Sequence, residues 1–387
     1  MVHKKGKIIA VMEISSSSIG GILFEQNKKD KPKIISTIRV PVNFLFDVSF
    51  EAFWRCTCAS FKSAILMLLK DYPSGPDECL CIFLFPWFTP QSRIINFERE
   101  EPIRVDRKLF DGIIKSEEEI FKTHWRSSPE SNGQPEFIEH EILKVELNGY
   151  YTKDPIGKKT KTIKIYFYMS LGSQKIIKEI KSYILDGFGG IPLIFRTFPY
   201  VSFSFLRENM NTQEGFVVVD MRGEMTDISL FRKDNIEEIV SFPKGRNFFL
   251  RKIASKFNTF PQEASSLFET YLKKHAEDSN AQKISFIIEE SQREWRESFK
   301  SALEKISGSK PLPQNIFFIG DEAIGNMFIK CAEGDDFAKF TIFGQPFNVS
   351  KILFEGLNQS VNFNMKRPAE KGDVFLLMES IFANKNL

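Results

Sequence analysis

Two stretches of this chain place an acidic residue before a small polar turn, between apolar strands. In the first, residues 7–12 read as a buried strand, Glu13-Ile14-Ser15-Ser16-Ser17-Ser18 as a hydroxyl-rich turn, and residues 19–24 as a returning strand. In the second, residues 216–219 are an unbroken apolar run ended by Asp220. Gly223 sits in the turn, and alternation resumes at Thr226, Ile228, Leu230 and Phe231. Such a turn can aim backbone N–H groups at a phosphate while its carboxylate faces the phosphate's metal ion. Asp220 is therefore a candidate ligand of a magnesium-bound water, or else a strand-end acid that caps its turn. The serines could donate hydroxyls to phosphate or simply form a polar turn. Gly223 and Thr226 follow the role of Asp220. A third stretch, residues 315–319, is a strand that runs into Gly320-Asp321-Glu322-Ala323-Ile324-Gly325, a glycine-bearing helix start.

The elements that must position these turns follow from the rest of the chain. Its 387 residues suit two or three domains, and 42% hydrophobic content allows substantial cores. With 40 phenylalanines those cores should be rich in aromatic rings. A formal charge of +3 is too small to argue for nucleic acid or an anionic membrane. The cysteines, Cys56, Cys58, Cys79, Cys81 and Cys331, are odd in number and spaced neither for zinc nor for a disulfide framework. They read as small buried hydrophobes in a reducing compartment. His3, His124, His140 and His275 lie far apart and offer no metal site, and Lys158-Lys159-Thr160-Lys161 reads as a solvated loop. The apolar stretch at residues 8–12 is too short for a signal sequence. The longest apolar run, residues 79–88, is about half of the roughly 20 residues a spanning helix needs.

In order, a third strand at 33–40 completes a meander. Ser49 caps a helix to about residue 70, and a buried strand follows at 79–85. A strand–helix–strand–strand unit comes next, at 92–97, a helix capped by Asp106, 139–147 and 162–170, with a polar loop at 125–135. A helix at 173–186 is stopped by Gly187, Gly189 and Gly190. After the second hairpin and Gly245 the chain turns helical to about residue 306. A strand at 340–343 and an apolar helix at 374–382 close it.

Two strand–acid–turn–strand hairpins, then a strand and glycine turn, resemble the actin-like (ribonuclease-H-like) ATPase fold. That resemblance implies an α/β chain of two lobes, with a strand–helix–strand–strand insert in the first and a mainly helical subdomain in the second. The boundaries would be 1–91, first lobe; 92–172, insert; 173–209, first lobe continued; 210–245, second lobe; 246–310, helical subdomain; and 311–387, second lobe continued with a C-terminal helix. In that family the two hairpins cradle the phosphates and the late glycine turn packs on adenosine. The order is similar to FtsA-like division proteins in particular: in Asn148-Gly149, in Asp154-Pro155-Ile156-Gly157 before a strand, and in Ser241-Phe242-Pro243-Lys244-Gly245-Arg246-Asn247 before Ile253-Ala254. The resemblance implies ATP with magnesium, held by Glu13, Ser15, Ser16, Ser17, Ser18, Asp220, Gly223, Thr226, Gly245, Gly320 and Gly325, with the metal at Asp220. It implies a cytoplasmic scaffold that links a tubulin-like division-ring protein, or other division proteins, to a membrane reached only through a partner. Self-association is open to such a scaffold, and no nucleic acid is involved.

The motifs depart from the family pattern. Glu13 and Ser15 stand where it carries Asp and glycine. Arg222, Glu224 and Met225 interrupt the small residues of the second turn, and Asp321 and Glu322 replace small residues in the third. Glycine lets a backbone approach an anion, so these side chains crowd the phosphate position. Nucleotide binding is therefore expected to be weak or lost, and no catalytic residue is identified. PilM-like adaptors of type IV pilus assembly, which bind a short peptide of a membrane partner, share the fold and a similar insert. FtsA relatives end in an amphipathic membrane helix, whereas this chain shows no basic amphipathic tail after residue 382, which favours an adaptor. An active sugar-kinase-like or DnaK-like ATPase fits least, because the insert is small, threonine-rich phosphate turns are missing and no substrate-side base stands out.

Overall fold

A computed structural model describes residues 6–387 except 44, 46–48, 128–132, 211–214, 273–278, 309, 321, 333 and 364–372. The first lobe opens with β1 (Ile8–Ile14), β2 (Ser18–Glu25) and β3 (Lys33–Pro41). β1 and β2 are apolar on both faces because each face is covered. Helix α1 (Phe50–Asp71) starts at Ser49, whose Oγ accepts the Ala52 N–H, and β4 (Glu78–Phe83) follows. α1 is long and apolar enough to cross a bilayer, but half of its apolar window is buried, on β2 and β3. Then come β5 (Thr89–Arg104), α2 (Arg107–Ser127), β6 (Pro135–Leu147), β7 (Tyr150–Tyr151) and β8 (Lys159–Ser173). α3 (Gln174–Phe188), β9 (Leu193–Thr197) and α4 (Phe198–Asn209) return to the first lobe.

The second lobe contains β10 (Phe216–Met221), β11 (Thr226–Arg232), β12 (Asn235–Phe242), α5 (Arg246–Phe257), α6 (Pro261–Leu272), α7 (Ser279–Ser307), β13 (Asn315–Ile319), α8 (Glu322–Ala332) and β14 (Asn348–Lys351). The chain ends in α9 (Phe354–Asn358), β15 (Asn362–Phe363) and α10 (Val374–Asn386).

Two sheets repeat one topology. In the order β3-β2-β1-β4-β9, the first three strands are antiparallel and β4 and β9 join β1 in parallel. In β12-β11-β10-β13-β14 the same pattern recurs. This duplication is the two-lobed actin-like fold. β5, β8, β6 and β7 form a separate four-stranded sheet, covered by α2 through Phe110 and Phe121. One core fills the space between the two main sheets, where α4 and α10 lie. Another joins the outer face of the first sheet to α1 and α3, and a third joins the second sheet to α5–α8.

Several local expectations change. The strand expected at 340–343 is absent: a 3-10 turn (Asp335–Phe340) runs through Phe340, and Thr341 makes only an isolated bridge to Leu312. Gly344 at φ +63° turns the chain, Phe343 is exposed, and the sheet strand forms later as β14. Trp125 lies within α2 and not in a loop. Gly189, at φ +83°, ends α3, while Gly187 stays inside it, where a Cβ would lie 2.3 Å from Ile65. The tail expected with the second lobe crosses back: β15 pairs with β3, and α10 packs on α4, β1 and β2. The reason is composition, since α10 is mostly apolar and is buried continuously from Phe375 to Asn384, Glu379, Ser380 and Asn384 included.

Candidate functional site

The first turn is spent on itself and on its neighbour. Ser15 Oγ donates to the Ser18 carbonyl and accepts the Ser17 and Ser18 N–H groups. Ser16 Oγ accepts the Glu224 N–H at 3.0 Å, joining the two hairpins. Ser18 Oγ accepts from Arg39. Ser17 lies against Gly223: a Cβ on Gly223 would come 2.5 Å from Ser17 Cβ. The glycine thus admits the other hairpin, where the family's glycine admits phosphate.

Glu13, at the end of β1, is fully buried. Its carboxylate meets Arg39 at 2.6 Å and Arg222 at 3.2 Å. Burial pushes its pKa upward, but Arg222 and Arg39 outweigh that and hold it near 2. Arg222 also donates from Nε to Asp220 at 3.0 Å, and the Phe375 ring centroid lies 3.0 Å from its guanidinium carbon. Asp220 faces Asp227 directly across the β10–β11 pair. Burial, reinforced by Glu13, pushes Asp220 to about 6 despite Arg222. Burial and then Asp220 push Asp227 well above the usual carboxylate range. Glu379 of α10 is likewise held far up by burial and by Glu13. Asp373, the cap of α10, pairs with Arg39.

The α5 N-terminus, a natural anion site, is also committed. Gly245, Arg246 and Asn247 donate their N–H groups to the carbonyls of Glu224, Arg222 and Gly223. A Cβ on Gly245 would lie 2.2 Å from the Arg222 carbonyl oxygen, so that position needs glycine for backbone contact. Glu224 pairs with Arg251 at 2.7 Å and accepts from Asn247, and Arg251 also reaches the Leu45 carbonyl of the first lobe. Thr226 bonds the Lys244 carbonyl and accepts from Trp295, away from the cleft. Gly320 and Gly325 each pack on the Phe318 ring. Asp321, His3 and His275 lie outside the described residues.

Glu13, Ser15–Ser18, Asp220, Gly223 and Gly245 thus converge, Thr226 turns its hydroxyl into the second lobe, Gly320 lines the far end, and Gly325 packs behind it on Phe318 and Lys351. Arg39, Asp373, Phe375 and Glu379 join the site unforeseen. Their one sequence signal is a charge inside an apolar segment, as at Glu379. A cavity of about 610 Å³ remains beside this cluster, lined by residues that include Arg39, Arg246, Phe318, Lys351 and Phe354.

The fold implies a magnesium–nucleotide, and these residues do not fit one at the phosphate end. The two turns touch, the Ser15, Ser16 and Ser18 hydroxyls and the Ser17, Ser18, Arg222 and Glu224 N–H groups have protein partners, and the guanidinium of Arg222 holds the place between Glu13 and Asp220 where metal and phosphate would bind.

No family profile matches the chain, and no curated protein matches it in sequence. Among solved structures, the PilM–PilN type IV pilus biogenesis complex superposes with a TM-score of 0.65 at 14% identity, over 97% of this chain and 98% of that one. A Bacteroides thetaiotaomicron protein of actin-like ATPase fold and unknown function gives 0.44 at 9% identity, over 99% of each chain. The ethanolamine utilization protein EutJ of Carboxydothermus hydrogenoformans gives 0.44 at 11%, over 97% and 89%. At these identities what is shared is the actin-like fold.

Proposed function

We propose that this chain is an actin-fold scaffold that acts by binding other proteins and not by hydrolysing ATP, as a PilM-like adaptor. The observation that carries the non-catalytic part is the Arg222 guanidinium set between Glu13 and Asp220. The pilus-type role is supported by the end-to-end likeness in fold to a PilM chain. In this reading the protein is cytoplasmic and reaches the membrane through a short cytoplasmic segment of a membrane partner.

The FtsA-like division role is the second reading, and its residues are Asn148-Gly149 and Asp154–Gly157. Both serve turns here. Asn148 (φ +49°) and Gly149 (φ +82°) make a tight hairpin, and Asn148 Oδ1 accepts the Lys161 N–H. Asp154 accepts the Ile156 N–H, and Gly157 sits at φ +85°. Such turns suit either role. α10 is buried, so it is not a free amphipathic helix for a membrane surface.

The test is a pull-down with two baits: the cytoplasmic segment of a single-span membrane protein encoded beside this chain, and the tubulin-like division protein. Capture by the first alone is the expected result. Capture by the second alone moves the reading to division. Rapid ATP turnover abolished by Asp220→Ala overturns both.

A further inference from the structure

The cleft carries its own positive charge where the fold implies a metal–nucleotide. Arg222 belongs to the second lobe, and it reaches across to Glu13 of the first lobe with both Nη atoms, at 3.3 and 3.2 Å. Its Nε is turned to Asp220 of its own lobe. Phe375, on the helix between the lobes, covers the guanidinium. We infer that Arg222 is a resident cation that holds the two lobes closed over the cleft, as a metal–nucleotide would, so that the closed form of this protein needs no ligand.

Three observations separate this from an incidental ion pair. First, the Arg222 side chain is only 7% exposed and its partner Glu13 is fully enclosed, so solvent does little to screen the pair. Second, the fork is used as a fork: three nitrogens of one planar group reach two carboxylates on different lobes, a paired geometry on Glu13 that the single nitrogen of an ammonium does not reproduce. Third, the neighbouring contacts close the same gap. Ser16 takes the Glu224 N–H, Gly223 meets Ser17, and Arg251 reaches Leu45.

The two carboxylates that Arg222 bridges are hard oxygen ligands of the kind magnesium and manganese prefer. Taking the guanidinium away leaves Glu13 and Asp220 buried without it, and a divalent ion is the ligand that could enter the vacated place.

The experiment follows thermal unfolding and the small-angle-scattering radius of the full chain, wild type and Arg222→Ala. Each is measured alone, with magnesium or manganese chloride, and with magnesium–ATP. The wild type is expected to keep its Tm and radius throughout. Arg222→Ala should lose roughly 5 °C, expand, and recover part of both with either metal chloride alone. A variant that neither metal helps, or a wild type that magnesium–ATP stabilises and compacts, overturns the assignment. Should Arg222→Ala not fold, Arg222→Lys decides: a lower Tm with no response to metal supports the inference, and a Tm equal to wild type overturns it. No partner protein enters this test, so its failure leaves the adaptor reading standing, and failure of the pull-down leaves the resident cation standing.

Discussion

Glu13 and Glu139 are both enclosed by protein, yet they end in opposite protonation states. Glu139 lies on β6, where the insert meets the first lobe. Its Oε1 accepts the Thr197 N–H at 2.9 Å and the Thr197 hydroxyl, while the nearest cation, Arg196, stands 3.8 Å from its other oxygen. Burial wins there and pushes its pKa to about 8. At Glu13 burial loses, because two guanidinium groups lie within 3.2 Å and hold the carboxyl near 2. The difference shows what the cleft is built for. A fold that only needed to fill space could have left a neutral acid, as it does at Glu139. In the cleft burial likewise pushes up Asp227 and Glu379, but Glu13 is kept as a charged carboxylate between two arginines from different elements.

Substituting the two glutamates is the strongest way to break this contrast. Glu13→Gln leaves Arg39 and Arg222 short of their shared anion and should cost about 3–5 kcal/mol at pH 7, read by urea unfolding. Glu139→Gln should be close to neutral at that pH, because the native side chain already holds its proton. Equal losses at both positions would end the comparison.

The pH dependence sharpens it. Glu139 has a folded pKa above its unfolded value, so its contribution to stability is present at low pH and is lost as pH rises toward about 8. Wild type should lose about 3 kcal/mol more than Glu139→Gln between pH 6 and pH 9. Glu13 has the reverse sign: its contribution is present above the ordinary glutamate range and fades as pH falls toward 2. A wild-type curve parallel to that of Glu139→Gln would remove the neutral acid from the account.

Two smaller effects test how the hairpins meet. Gly223→Ala puts a methyl 2.5 Å from Ser17 Cβ and should cost about 1–3 kcal/mol, with part recovered by Ser17→Gly in the same chain. Phe375→Leu removes the ring over Arg222 and should cost about 1–2 kcal/mol. Additive effects of Gly223→Ala and Ser17→Gly would mean the turns do not touch.

Much of the fold was legible because its signals are local. Apolar runs at β1, β4 and β10 show no polar face, and the order of hairpins and glycine turn sets out the two lobes. Arg222 and Glu224 stood out in the sequence as side chains where glycine would be expected. The ring of partners around them was not legible. Arg39 lies in an alternating edge of the meander, Phe375 and Glu379 in the last helix, and only tertiary packing brings them to Glu13. The late strand was misplaced because residues 340–343 have the right side chains but not the alternation of a strand: Phe340 and Thr341 are buried together and Ile342 and Phe343 are exposed together. Thr226 matched the motif in sequence but bonds Lys244 and Trp295, since a hydroxyl on that strand face points into the second lobe.

The central claim is that protein groups fill the phosphate end of the cleft. Isothermal titration of the wild-type chain with magnesium–ATP, followed by a phosphate-release assay on the same sample, measures this most directly. The account predicts no saturable heat and no phosphate above the buffer blank. Saturable binding that requires magnesium, with turnover lost in Asp220→Ala, would contradict it.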